Sequence, residues 1–293
     1  MRSWWQEIAD LVLPADCAGC GRPGGTLCDR CREALRGSGA RRVLPSPVPP
    51  GLPVVHAAVE YADEARAVLL AHKERGVLRL AWPLGEALAG AVRAVCGARP
   101  ALGGEAKGRV AVERESARRP RGLSSICGYR RTGGRARSTV DRGQPRPKAG
   151  GGLSAPEANR ALGKPLLLVP VPSARRAVGA RGHDPARRIA LAAAGVLRGG
   201  GRPVRVPAVL RQLRRVTDQS GLGARQRRAN VSGALGVVPG GDRLLAAGPV
   251  VLVDDLMTTG ASLAEAARAV TAAGGRVAGA AVVAASLVRI NRN

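Results

Sequence analysis

The chain has 293 residues, with 47 Lys and Arg against 21 Asp and Glu, a formal net charge of +26. That length supports one sizeable core and a small appendage, and that charge favours anionic partners such as nucleic acid, phosphorylated metabolites or acidic lipid. Aromatic residues make up 2% and Phe is absent, which weighs against an aromatic base-stacking platform but not against phosphate contacts made by cations and backbone N–H groups.

The N-terminal "MRSWWQEIADLVLPADC" is expected to form a short amphipathic helix, with Trp4, Trp5, Ile8 and Leu11 or Val12 on one side. Gln6, Glu7 and Asp10 break any apolar region, so it does not read as a secretory signal. No apolar run approaches the ~18–20 residues of a membrane span; the longest, at 277–288, is too short. A cytoplasmic location with unbridged thiols is expected.

Residues 1–36 hold four of the six cysteines. Cys17-Ala-Gly-Cys20 and Cys28-Asp-Arg-Cys31 are two C-x2-C knuckles joined by the Gly-rich turn "GRPGGTL". Four thiolates brought together this way suit a closed, structural, tetrahedral Zn²⁺ site. A pair of disulfides fits less well without a secretory signal, and no feature favours an iron–sulfur cluster. A module this small needs its metal to fold.

Residues 37–53 are Pro-rich and read as an extended linker. A strand and then a helix are predicted over 54–76, and a second helix over 81–96. Residues 97–163 change to Gly, Arg, Ser and Pro without sustained periodicity, and read as a basic, disordered insertion. A solvated loop is the simpler account of that tract; nucleic-acid contact is the alternative. Cys96 and Cys127, beside and within it, have no spaced partner and read as ordinary thiols.

Order resumes with "KPLLLVPVPS", a continuous apolar run typical of a parallel strand buried on both faces. A helix is predicted over 184–201, with Asp184 as cap and Pro185 in the first turn. A strand is expected within 203–212, then a polar loop over 213–234, then strand 249–255, helix 261–273 and strand 276–288. Strands alternating with helices over 54–293 predict an α/β fold with an open, mainly parallel sheet.

The run "VVLVDDLMTTGAS" carries the strongest functional signal. In open parallel sheets, ligands bind beyond the carboxyl ends of strands, where Asp254 and Asp255 fall. Two carboxylates there suit vicinal hydroxyls, or a Mg²⁺ ion held together with a phosphate. The following turn opens a helix, whose free N–H groups and dipole seat an anion. Thr258, Thr259 and Ser262 add hydroxyls, and Gly260 lets the backbone come close. Diol acceptors beside a phosphate seat describe a ribose 5-phosphate.

This run resembles the ribose-phosphate fingerprint of type I phosphoribosyltransferases. The wider order is similar to the ComF family of competence-type, phosphoribosyltransferase-like proteins: a zinc module, then "VPVPSARRAVGARGHD", then "TDQSGLGARQRRANVSGAL", then the acidic strand end. The similarity covers the chain apart from roughly 97–163. It implies a phosphoribosyltransferase-like fold. It also implies that Asp254 and Asp255 contact the ribose hydroxyls of phosphoribosyl pyrophosphate (PRPP), with Thr258, Thr259, Gly260, Ala261 and Ser262 as the 5-phosphate loop. Arg175, Arg176 and Arg181 would be anion contacts near the pyrophosphate loop, and Mg²⁺ would accompany PRPP. Gln219, Arg227 and Asn230 would lie in a flap over the ligand. The family's R-G-F-N-Q is replaced by Arg181-Gly182-His183-Asp184-Pro185, so its amides are missing here. Lys73 matches a family position where Lys follows an apolar helix, with no role attached.

His56, His72 and His183 are too widely spaced to predict a metal set, and packing or surface roles are expected. The activity implied is phosphoribosyl transfer to a nitrogen nucleophile with release of pyrophosphate. A different class is also implied: a non-catalytic DNA-uptake accessory protein, with single-stranded DNA or a competence helicase as partner.

Overall fold

The computed structural model describes residues 16–37, 39–97, 164–173, 178–179, 181–214, 226 and 230–286. The predicted N-terminal helix, most of the basic insertion with Cys127, and Arg175, Arg176, Gln219 and Arg227 lie outside the described residues.

The structure is mixed α/β. A six-stranded sheet runs in the order β1 (Arg41–Val43), β2 (Val55–Glu60), β8 (Val277–Ala285), β7 (Val250–Met257), β3 (Leu166–Pro170), β4 (Val204–Arg205). Every neighbouring pair is parallel except β1 with β2. The central strands are apolar because both of their faces are covered: all five residues of β3 and the first four of β7 are buried.

Helices α2 (Asp63–Lys73), α3 (Ala81–Gly97) and α4 (Pro185–Gly199) cover one face. Their Val68, Leu84, Leu88 and Ile189 meet Leu168, Val251 and Val253 of the sheet. On the other face, α5 (Gly241–Leu245) and α6 (Ala261–Ala272) place Leu245, Leu263 and Val270 against Leu167 and Leu252. Each such side chain contributes about 1.5–3 kcal/mol relative to exposure, so the two cores dominate the stabilising side.

α4 begins as its sequence predicts. The Asp184 carboxylate accepts the Arg187 N–H at 3.2 Å, and Pro185 occupies the first turn. The single strand expected within 203–212 is two short strands. β4 edges the main sheet, whereas β5 (Leu210–Gln212) pairs antiparallel with β6 (Leu235–Val237) in a second, two-stranded sheet. Pro207 lies between β4 and β5 and has no N–H to continue a ladder. The β5–β6 pair holds together the two ends of the segment expected to act as a flap, with Leu213 N–H donating to the Ala234 carbonyl.

The cysteine-containing segment docks on the main fold. Helix α1 (Asp29–Arg36) buries Leu35 in the core beneath α2 and α3. Arg30 and Arg32 form ion pairs with Glu64 of α2 and Glu86 of α3. The Pro-rich segment that follows carries β1 and lays Pro45 and Leu52 against the turn at Gly260.

Candidate functional site

The strand order fixes where a ligand can sit. After β3 the chain crosses through α4, on one face, to β4 on its outer side. After β7 it crosses through α6, on the opposite face, to β8 on the other side. The two connections diverge between β3 and β7, which are adjacent and parallel. Such a divergence opens a crevice at the carboxyl ends of the two strands. Asp254 and Asp255 lie just past the level where Val253 pairs with Pro170, the last residue of β3, while β7 runs two residues beyond the predicted end, Leu256 and Met257 continuing the ladder with β8.

The two carboxylates have different surroundings. Asp255 is buried, and its Oδ2 lies 2.7 Å from the Lys73 ammonium at the end of α2. Asp254 is half-buried, and its Oδ1 accepts the N–H of Asp255 at 2.8 Å. Burial pushes the Asp254 carboxyl well above its ordinary value, and the neighbouring Asp255 carboxylate adds to this; Lys73 and the Asp255 N–H only partly offset them. For Lys73 burial alone would lower the pKa. The Asp255 carboxylate, and after it Asp254, outweigh burial and raise it, so the ammonium keeps its charge.

β7 runs into a turn at Thr258, Thr259 and Gly260, and Gly260 adopts a left-handed conformation (φ 71°) as it starts α6. Gly260, the N-cap of this helix, has no side chain with which to cap it. A helix start whose N-cap supplies no side-chain acceptor is the kind that can turn its first amides to an anion. Thr258, Thr259 and Ser262 are half-buried around this turn, while Gly260 and Ala261 are buried. A side chain at Gly260 would meet Leu52 at 3.1 Å and Pro45 at 3.3 Å, so conformation favours the glycine and the space around it is tight.

The other candidate residues are distributed unevenly. Arg181 is engaged by Glu74, its Nε and Nη2 each 3.1 Å from a carboxylate oxygen. That bidentate pair holds the residues before α4 against the end of α2. Asn230 is half-buried at the close of the expected flap, four residues before the Ala234 carbonyl that accepts from Leu213. Just beyond it, Glu265 of α6 accepts the Leu235 N–H at 3.1 Å, and Arg268 donates to the Leu235 carbonyl at 2.9 Å. Burial would raise the Glu265 carboxyl, but the Arg268 guanidinium and the backbone donors lower it overall. The helix that begins at the Thr258–Gly260 turn thus anchors the base of the segment expected to act as a flap. Neither Lys73 nor the Glu265–Arg268 pair announces its partner in the sequence.

His72 and His183 meet, with ring centroids 5.6 Å apart, and His56 is also buried. They belong to the packed interior, as expected. Burial lowers the pKa of His72, which keeps its ring neutral, with Nδ1 3.3 Å from the Val77 carbonyl.

The four cysteine sulfurs lie within 4.8 Å of one another, and they are the only metal-competent cluster among the described residues. Cys20 and Cys28 Sγ are 3.6 Å apart, close to the ~3.8 Å edge of a tetrahedron with metal–sulfur bonds of about 2.3 Å. The Cys28 N–H donates to Cys17 Sγ at 3.3 Å. Burial opposes the Cys17 thiolate, but the backbone donors of Cys28, Cys20 and Gly19 prevail and lower its pKa to about 6. Cys31, enclosed and surrounded by the other sulfurs, is pushed up by burial first. This donor set can hold a metal ion and is consistent with structural zinc. The turn is tight: a side chain at Gly19 would lie 2.7 Å from Cys31 Sγ.

No protein-family model matches the chain, and a search of curated proteins finds no match. No helix among the described residues is long and apolar enough to cross a membrane.

Proposed function

We propose that this chain is a ComF-like protein of phosphoribosyltransferase-like fold that binds PRPP or a ribose 5-phosphate at the carboxyl end of β7. The observation that carries this reading is the junction of Asp254 and Asp255 with an uncapped helix start at Gly260, placed at the divergence between β3 and β7. The acidic pair accepts the ribose hydroxyls, and the Thr258–Ser262 turn receives the 5-phosphate. The reaction such a site would serve is phosphoribosyl transfer to a nitrogen nucleophile, with pyrophosphate leaving. Positive charge developing at C1 would be stabilised by the two carboxylates. Mg²⁺, when present on the pyrophosphate, supplies charge neutralisation of the leaving group. The four cysteines hold a structural Zn²⁺ that completes the docked N-terminal module.

Calorimetric titration of Mg²⁺-PRPP into zinc-loaded protein tests this reading, beside an Asp254→Asn/Asp255→Asn variant. Saturable binding that the variant loses supports it; folded wild-type protein that takes up no PRPP removes it.

The net charge of +26 favours a second reading, in which the protein handles single-stranded DNA or docks a helicase without catalysis. Salt-sensitive DNA binding that persists in the Asp254→Asn/Asp255→Asn variant, together with absent PRPP binding, would select it.

A further inference from the structure

The end of α2 is tied down by three consecutive residues. The His72 carbonyl lies 3.2 Å from His183 Nε2, and Glu74 takes the guanidinium of Arg181 in two contacts. Between them, Lys73 sets its ammonium 2.7 Å from Asp255 Oδ2. Because its neighbours on both sides are anchored, Lys73 is presented to Asp255 by a fixed backbone rather than by a free side chain searching the surface.

This arrangement determines what the acidic pair can accept. Asp255 Oδ2 faces the ammonium, and Asp254 Oδ1 is occupied by a backbone N–H. A divalent cation bound directly by these carboxylates would sit against a like charge already in place, and hard cations take several carboxylate or water oxygens in a near-fixed geometry. A hydroxyl group makes no such demand. It donates to one remaining carboxylate lone pair, and its oxygen accepts from the ammonium, which has three N–H donors and no acceptor.

We propose that Lys73 sets the ligand class of the acidic pair: with its ammonium on Asp255, Asp254 and Asp255 receive sugar hydroxyls directly and exclude a divalent cation ligated by the protein. The proposal rests on the ribose-phosphate reading above. Any Mg²⁺ that accompanies PRPP is then held by the ligand's own oxygens.

The test has two arms on the full-length, zinc-loaded protein. In the first, Mn²⁺ is titrated and its free form followed by electron paramagnetic resonance. Wild-type protein and Lys73→Arg are expected to show no saturable Mn²⁺ site below millimolar concentration. Lys73→Gln is expected to gain one site, at least tenfold tighter, which Lys73→Gln/Asp255→Asn loses. A folded Lys73→Gln that gains no Mn²⁺ site overturns the proposal. So does a wild-type site abolished by Asp255→Asn, and this comparison decides even if Lys73→Gln does not fold. In the second arm, ribose 5-phosphate is titrated in metal-free buffer. Binding to wild type without added metal is expected, and binding only when Mn²⁺ is present overturns the proposal. If ribose 5-phosphate binds under neither condition, the ligand reading falls, while the Mn²⁺ arm still decides whether Lys73 excludes cations.

Discussion

Replacing Lys73 by methionine isolates the ion pair at the carboxyl end of β7. The Asp255 side chain is 8% exposed and that of Lys73 is 32% exposed, at an N–O distance of 2.7 Å. Removing one member of a fully buried pair costs about 3–5 kcal/mol, and an exposed pair contributes about 0–1 kcal/mol. This pair stands between those limits: the carboxylate is enclosed, but the lysine end reaches water. The expected cost is therefore about 2 kcal/mol, or a fall in Tm of roughly 4–8 °C for a chain of this size. The loss arises because Asp255 is left without its counter-ion while Asp254 lies alongside. Asp255→Asn in the same background should therefore restore most of it. Urea unfolding of wild type, Lys73→Met, Asp255→Asn and the double variant closes the cycle. A coupling of about 2 kcal/mol is expected from the same reasoning. A Lys73→Met variant within about 0.5 kcal/mol of wild type, or a cycle without coupling, would refute the argument that this pair governs the local electrostatics.

Asp254→Asn should stabilise the free protein while it impairs ligand binding, because the carboxyl is raised chiefly by burial and by Asp255. A raised acid favours the fold below its ordinary value of 3.8 and penalises it as pH rises through the folded value. The variant's gain in Tm should therefore be small near pH 4 and grow toward neutrality; a constant difference across pH would contradict this. Glu265→Gln should lower stability by about 1–3 kcal/mol, since it removes a carboxylate that accepts from Leu235 N–H and pairs with Arg268. Glu265 is lowered overall, so its contribution is present above the ordinary 4.5 and lost as pH falls through the folded value. The gap between wild type and variant should close in that acidic window, as read by thermal unfolding across pH. Gly19→Ala should weaken zinc binding at least tenfold in a chelator competition, because the new methyl carbon meets Cys31 Sγ at 2.7 Å. An unchanged affinity would mean that the cluster relaxes more easily than its packing implies.

Much of the fold was legible because its signals are local. β3, β7 and β8 are apolar runs, as strands covered on both faces must be. α4 starts at an Asp-Pro pair that serves as cap and first turn. The cysteine cluster was visible for the same reason, since both knuckles and the turn between them fall within 15 residues, 17–31. β1 was hidden within the Pro-rich segment: it has three residues, two of them exposed, and exists through its pairing with β2. β6 is equally short, and its place depends on β5 and on Glu265. At the candidate site, the acids and the turn could be read from one continuous run, whereas their surroundings could not. Arg181 meets Glu74 across 107 positions and His183 meets His72 across 111. Lys73 finds Asp255 only when α2 and β7 are placed on one sheet. No periodicity records such a meeting; it is a product of strand order.

The most direct test of the central claim is the calorimetric titration of Mg²⁺-PRPP into zinc-loaded protein, run beside Asp254→Asn/Asp255→Asn. Saturable binding of one ligand per chain is expected, and the variant should lose it while remaining folded. Folded wild-type protein that releases no binding heat and gives no saturation would contradict it, and would leave the strand end and its turn as scaffold rather than site.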